Sequence, residues 1–163
     1  MNEPVVQQAL RDSVDEVLDK MFFVQALGES PDPGLAAMEP PAAIAVRLTF
    51  LGEPSGSLAL RLTSTAARSI AADFLGTDEE EVSDPRMADV VCELANMICG
   101  SLLSRVENAA TFQLAAPRIV PLSEGPAQEP GATFYAVDLP KGSLAVSVNT
   151  GTPPCPAPIQ SVS

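Results

Sequence analysis

The chain of 163 residues contains no histidine and no tryptophan, one tyrosine and three cysteines. Without histidine, a Ser/His/Asp or Cys/His mechanism is excluded. The cysteines, Cys92, Cys99 and Cys155, are odd in number and lack paired short spacing, so they suggest neither a disulfide framework nor a zinc site. Cys92 and Cys99 stand one heptad apart beside an apolar stripe and read as small packing residues. No P-loop and no glycine-rich dinucleotide turn is present. Positive charge is scarce as well: nine basic residues face 21 acidic ones, for a formal charge of −12. Arg11, Lys20, Arg47, Arg61, Arg68, Arg86, Arg105, Arg118 and Lys141 are scattered singly, so nothing would track a nucleic-acid backbone. An acidic surface instead favours solubility or a partner presenting lysine or arginine. Residues Met1 to Leu10 lack the basic flank and apolar run of a signal peptide. No segment approaches the roughly 18 consecutive apolar residues of a membrane span, so a cytoplasmic protein without a membrane partner is expected.

What is present is enough apolar content, 46%, for one ordinary core. One domain is expected over residues 1–150, followed by a proline-rich, uncharged and aperiodic tail at 151–163 that reads as disordered. Val5 to Leu27 repeats apolar residues at three- and four-residue steps and predicts a helix stopped by Gly28. Glu29 to Pro41 is a proline-rich connector. Ala43 to Leu51 and Ser57 to Leu62 alternate with period two around the turn Gly52 to Gly56, as an antiparallel hairpin with one face in water. Thr63 or Ser64 can cap a second helix that runs to Leu75 and ends at Gly76. After the acidic loop Thr77 to Ser83, a long helix begins with Ser83 or Asp84 as cap and Pro85 at its first position, and continues to about Asn108. Three further strands follow at Thr111 to Val120, Thr133 to Leu139 and Ser143 to Val148, the last two joined by the turn Pro140-Lys141-Gly142.

The long helix carries the unusual chemistry. At about 100° per residue, Asp89, Glu93, Asn96 and Gly100 fall within roughly 60° of one another, opposite Val91, Leu94, Ile98 and Leu102. Asp89 and Glu93 stand one turn apart, but two carboxylates on an open helix surface are poorly suited to act as acid or base at neutral pH. A self-contained hydrolase is therefore not expected. An exposed Glu and Asn can instead complete another protein's active site. Where a partner already holds a phosphoryl group with a metal and a lysine, what is missing is mainly a water in line for attack. A carboxamide can position water without bringing negative charge toward phosphate. Glu93 can pair with a partner lysine, and Gly100 leaves room for close approach.

The segment Asp89-x-x-x-Glu93-x-x-Asn96-Met97-Ile98-Cys99-Gly100-Ser101-Leu102 resembles the signature of the CheC/CheX/FliY family of chemotaxis phosphatases, with a single motif copy as in CheX. Pro117 follows Asn96 at about the family's distance, the element order is like the family's from Val5 to Asn149, and the Met21-Phe22-Phe23 end of the first helix is also similar. The resemblance implies an α+β fold, an antiparallel or mixed sheet of about five to six strands with long helices packed on one face. It also implies a phosphatase acting on a phosphorylated CheY-type receiver domain in two-component signalling. Glu93 would salt-bridge the receiver's lysine and Asn96 would place the water, with Asp89, Met97 and Gly100 contacting the partner. Magnesium would be the receiver's, with no cofactor of the chain's own and no covalent intermediate on it, and a homodimer is implied. The alternative is a receiver-binding or flagellar-switch domain of the same fold that hydrolyses nothing.

Overall fold

The structure, a computed structural model, describes residues 3–29, 43–52, 55–106, 112–126 and 131–150. Helix α1 spans Glu3–Met21. Its apolar repeat places Val6, Leu10, Val14, Val17 and Leu18 in the core. The helix stops six residues before the expected Leu27, because the chain reverses at Phe23, the one described non-glycine residue with positive φ, 59°. The reversal lets both Phe22 and Val24 be buried, and Phe22 stacks on Phe74 with ring centroids 4.9 Å apart. Holding an L-residue left-handed costs about 1–2 kcal/mol, comparable with the roughly 1.5–3 kcal/mol gained by burying one such side chain. Gly28 is therefore not a helix stop. Gly28–Glu29 form the short strand β1, paired antiparallel to Asp138 and Val137.

Strands β2 (Ala43–Leu51) and β3 (Gly56–Thr63) form the expected hairpin, with Val46 opposite Leu60 and Leu48 opposite Leu58. Helix α2 (Ser64–Leu75) ends as expected at Gly76, whose φ of 71° suits glycine. Thr63 does not cap it; its Oγ1 accepts the backbone N–H of Ser143 at 3.1 Å instead. A 3-10 turn, Glu79–Glu81, leads into α3 (Asp84–Val106). The expected strand over Thr111 to Val120 is two short strands, β4 (Gln113–Leu114) and β5 (Arg118–Val120), both paired to β2. Between the pairs Phe50–Leu114 and Arg47–Arg118 the β2 side advances three residues and the other side four, a one-residue bulge at 115–117. Pro117 has no N–H for the ladder, which explains the break. A second 3-10 turn, Leu122–Glu124, precedes β6 (Ala132–Leu139) and β7 (Gly142–Thr150).

All pairings are antiparallel, in the order β1-β6-β7-β3-β2-β4, with β5 also on β2. The sheet has seven strands rather than five to six, because β1 and the bulge split add short segments. The α+β class holds. Helices and sheet share one core, in which Leu94, Ile98 and Leu102 of α3 join Leu58, Leu60 and Leu62 of β3.

The outer face of the hairpin is not simply wet, as alternation had suggested. Ala45, Ala59 and Arg61 are at least 95% buried there. Arg61 Nη2 donates to the Pro126 carbonyl at 3.4 Å, while Arg47 donates to the Glu124 carbonyl at 3.1 Å and to Ser57 Oγ at 3.2 Å. The two guanidinium groups thus hold the 124–126 stretch to the sheet, and burial pulls the pKa of Arg61 below its ordinary value. The connector after Glu29 up to residue 42, the end of the long helix beyond Val106 and the tail at 151–163 lie outside the described residues.

Candidate functional site

Helix α3 begins where local chemistry can satisfy its first N–H groups. Ser83 Oγ accepts the Arg86 N–H at 3.3 Å, and the Ser83 carbonyl takes the Met87 N–H at 2.9 Å. Pro85 occupies the second helical position, one later than expected, where its missing N–H is still harmless. Arg68 of α2 donates to Asp84 at 2.8 Å and to the Val82 carbonyl, fixing the start of α3 against its neighbour. At the other end Arg105 ion-pairs with Glu16 of α1, which also binds Lys20 at 3.1 Å.

Between these anchors, Met87, Val90, Val91, Leu94, Ala95, Ile98, Cys99, Leu102 and Leu103 are buried. This explains why α3 is, by length and composition alone, apolar enough to cross a membrane. Its apolar residues belong to the core. Asp89 and Glu93 are exposed on the opposite face, and Asn96 and Gly100 are half-exposed beside them. The four residues form one strip about 16 Å long, with Glu93 and Asn96 one turn apart. Met97 sits at the margin of the strip, partly in solvent and partly packed on the core.

Neither Glu93 nor Asn96 makes a side-chain hydrogen bond or ion pair among the described residues. A carboxylate and a carboxamide thus present their full hydrogen-bonding capacity outward. At Gly100 an added Cβ would meet nothing within 4 Å, so no packing inside the chain requires glycine there. Cys92, beside Asp89, is half-buried, and its thiol pKa is raised by burial and then by the Asp89 charge. Cys99 is buried and its thiol is pushed up to about 12, consistent with a packing role. Among the described residues no group of three His, Cys, Asp or Glu side chains could hold a metal ion. Pro117 lies in the bulge beside the edge of β2, a placement that spacing along the chain could not give.

These features define an α+β domain with a polar helix face on which Glu93 and Asn96 have no side-chain partner among the described residues. The family model for the chemotaxis phosphatase CheX matches residues 44–139, and the chain belongs to that family. A search of curated protein sequences gives no match. Among solved structures, the chemotaxis protein CheX of Vibrio vulnificus is similar with a TM-score of 0.72 at 16% identity, over 93% of this chain and 99% of that one. CheX in the CheX-CheY-BeF3-Mg complex from Borrelia burgdorferi gives 0.66 at 16% identity, over 88% and 96%. The FliM middle domain from Vibrio alginolyticus gives 0.55 at 10% identity, over 89% and 90%. At these identities the likenesses establish the fold.

Proposed function

We propose that residues 1–150 form a phosphatase domain that removes phosphate from a CheY-type receiver by placing Glu93 and Asn96 in the receiver's active site. The observation that carries this reading is the pair of exposed Glu93 and half-exposed Asn96, without partners among the described residues, on the buried-backed helix of a CheX-family fold. The acyl phosphate and the magnesium ion belong to the receiver, and this chain contributes position. Glu93 forms a charge-assisted hydrogen bond with the receiver's phosphate-site lysine and sets the docking register. Asn96, about one turn further, accepts a hydrogen bond from water through its amide oxygen and holds it in line with phosphorus. A carboxamide does this without repelling the phosphoryl oxygens, as a carboxylate would. Asp89 and Met97 frame the contact, and Gly100 lets the receiver backbone come close.

The test is the decay of phosphorylated receiver with and without the chain. Asn96→Ala is expected to lower the acceleration by about 10²-fold, the scale of a lost positioning contact, while the complex still forms. Unchanged decay would overturn the mechanism. Glu93→Ala is expected to weaken binding as well as turnover, and equal affinity in a titration would overturn its role in docking. A homodimer is part of the same proposal, checked by light scattering against the 17.0 kDa of one chain. The second reading, a switch or signalling domain that binds a receiver without hydrolysis, draws on the likeness to the FliM middle domain. It requires binding with no acceleration at all by the unmodified chain.

A further inference from the structure

At the end of α1 the chain presents an aromatic ring to solvent from a backbone conformation that disfavours it. Phe23 is 75% exposed, with φ at 59°. Glycine meets the conformational requirement at such a position, and phenylalanine is the poorer choice in both conformation and exposure. Phe22 and Val24 on either side are buried, so the fold uses the reversal of the backbone but not the ring of Phe23. That ring forms one lip of a groove of about 470 Å³ between the 23–25 stretch, α2 and the β6–β7 turn. Val24, Ile70 and Leu139, each at least nine-tenths buried, supply its apolar lining. Asp73 and Glu79 supply its charge. Among the described residues the one cation lining the groove, Lys141, is bound by Glu79 at 2.6 Å. With Glu79 paired to Lys141, Asp73 is the lining carboxylate left without an ion-pair partner among the described residues, and the lining carries a net negative charge.

We propose that this groove docks a basic peptide segment of a partner protein, with an apolar side chain against the exposed Phe23 ring and a neighbouring lysine or arginine facing Asp73. The volume is that of a pocket for a few side chains and not of a globular interface. The cation can also lie against the face of the Phe23 ring. Charge selects the occupant. In a two-fold contact with a second copy, the groove would set its own carboxylates against each other in a chain already at −12.

The test uses the full chain and a fluorescein-labelled, end-capped hexapeptide, Lys-Leu-Phe-Lys-Leu-Arg, with a charge-reversed peptide bearing glutamates as control, read by fluorescence anisotropy at low and physiological salt. The basic peptide is expected to bind at least about tenfold more tightly than the acidic one and to weaken with salt. Asp73→Lys should remove that preference. Phe23→Gly should weaken binding about tenfold yet raise the melting temperature by roughly 2–4 °C, since it relieves the backbone without uncovering the core. A residue kept only for folding would not give those opposite signs. Asn96→Ala should bind the peptide as the unmodified chain does. Equal binding of the two peptides, intact binding in Phe23→Gly, a lower melting temperature for that variant, or a dimer that Phe23→Gly dissociates would each overturn the proposal.

Discussion

Replacing Gly100 with alanine puts a methyl group where the chain has no atom within 4 Å, in the interior of a 23-residue helix. Glycine at such a position is less favourable than alanine by about 0.8–1 kcal/mol, because it gives up more backbone freedom on folding. No steric term offsets this gain. Gly100→Ala should therefore raise the unfolding free energy by about that amount and the melting temperature by roughly 2–4 °C for a domain of this size. The same methyl lies on the Asp89–Glu93–Asn96 face, where the receiver is proposed to approach. An overlap of one methyl with a close-packed partner costs about 1–3 kcal/mol, or roughly 5- to 150-fold in affinity. KM for the phosphorylated receiver should rise accordingly, with kcat changed less, since Asn96 is untouched. Thermal unfolding by calorimetry and a dephosphorylation titration measure the two effects on one preparation. A more stable protein with unaltered KM would refute the role of Gly100 in docking. A less stable protein would refute the account of the helix itself.

At Gly142 the opposite is expected: a Cβ there would lie 1.9 Å from Thr63 Oγ1, with φ at 155°, so Gly142→Ala should destabilise by at least about 1–3 kcal/mol in urea unfolding. Cys99, buried with its thiol at about 12, should resist alkylation at neutral pH until the protein unfolds, whereas modification at the rate of a free thiol would contradict its packing. The Glu16 carboxyl is held below its ordinary 4.5 by Lys20 and then by Arg105. Its contribution to stability is present in full above that value and lost as pH falls through the lower folded pKa. A carbon-detected NMR titration should show the depressed midpoint, and Arg105→Gln should move it upward; no movement would remove Arg105 as a cause.

Where helical period and turn chemistry act locally, the chain was readable. α2 ends at Gly76 and β2 spans Ala43–Leu51 as expected, because a left-handed glycine and an alternating run need no distant partner. The end of α1 falls short of Gly28, since the burial of Phe22 against Phe74, a residue fifty-two positions away, outweighs the local signal. Alternation puts one face of the hairpin in water, yet Arg61 on that face is buried by the 124–126 stretch, which returns to the sheet from a separate part of the chain. The break at Pro117 was in plain sight as a proline, but only its pairing with β2 makes it a bulge.

The candidate site divides in the same way. Sequence by itself determined that Asp89, Glu93, Asn96 and Gly100 share a strip, because residues three and four apart on a helix are neighbours whatever surrounds them. Tertiary structure decided which way that strip faces: Leu94, Ile98 and Leu102 go to the sheet, leaving Glu93 and Asn96 without partners among the described residues, and Gly100 stands in open space. It also decided that Phe23, Ile70, Asp73 and Leu139, spread over more than a hundred residues, line one anionic groove. Periodicity within a helix is a property of a few consecutive bonds, whereas exposure and grooves depend on atoms contributed by the whole chain.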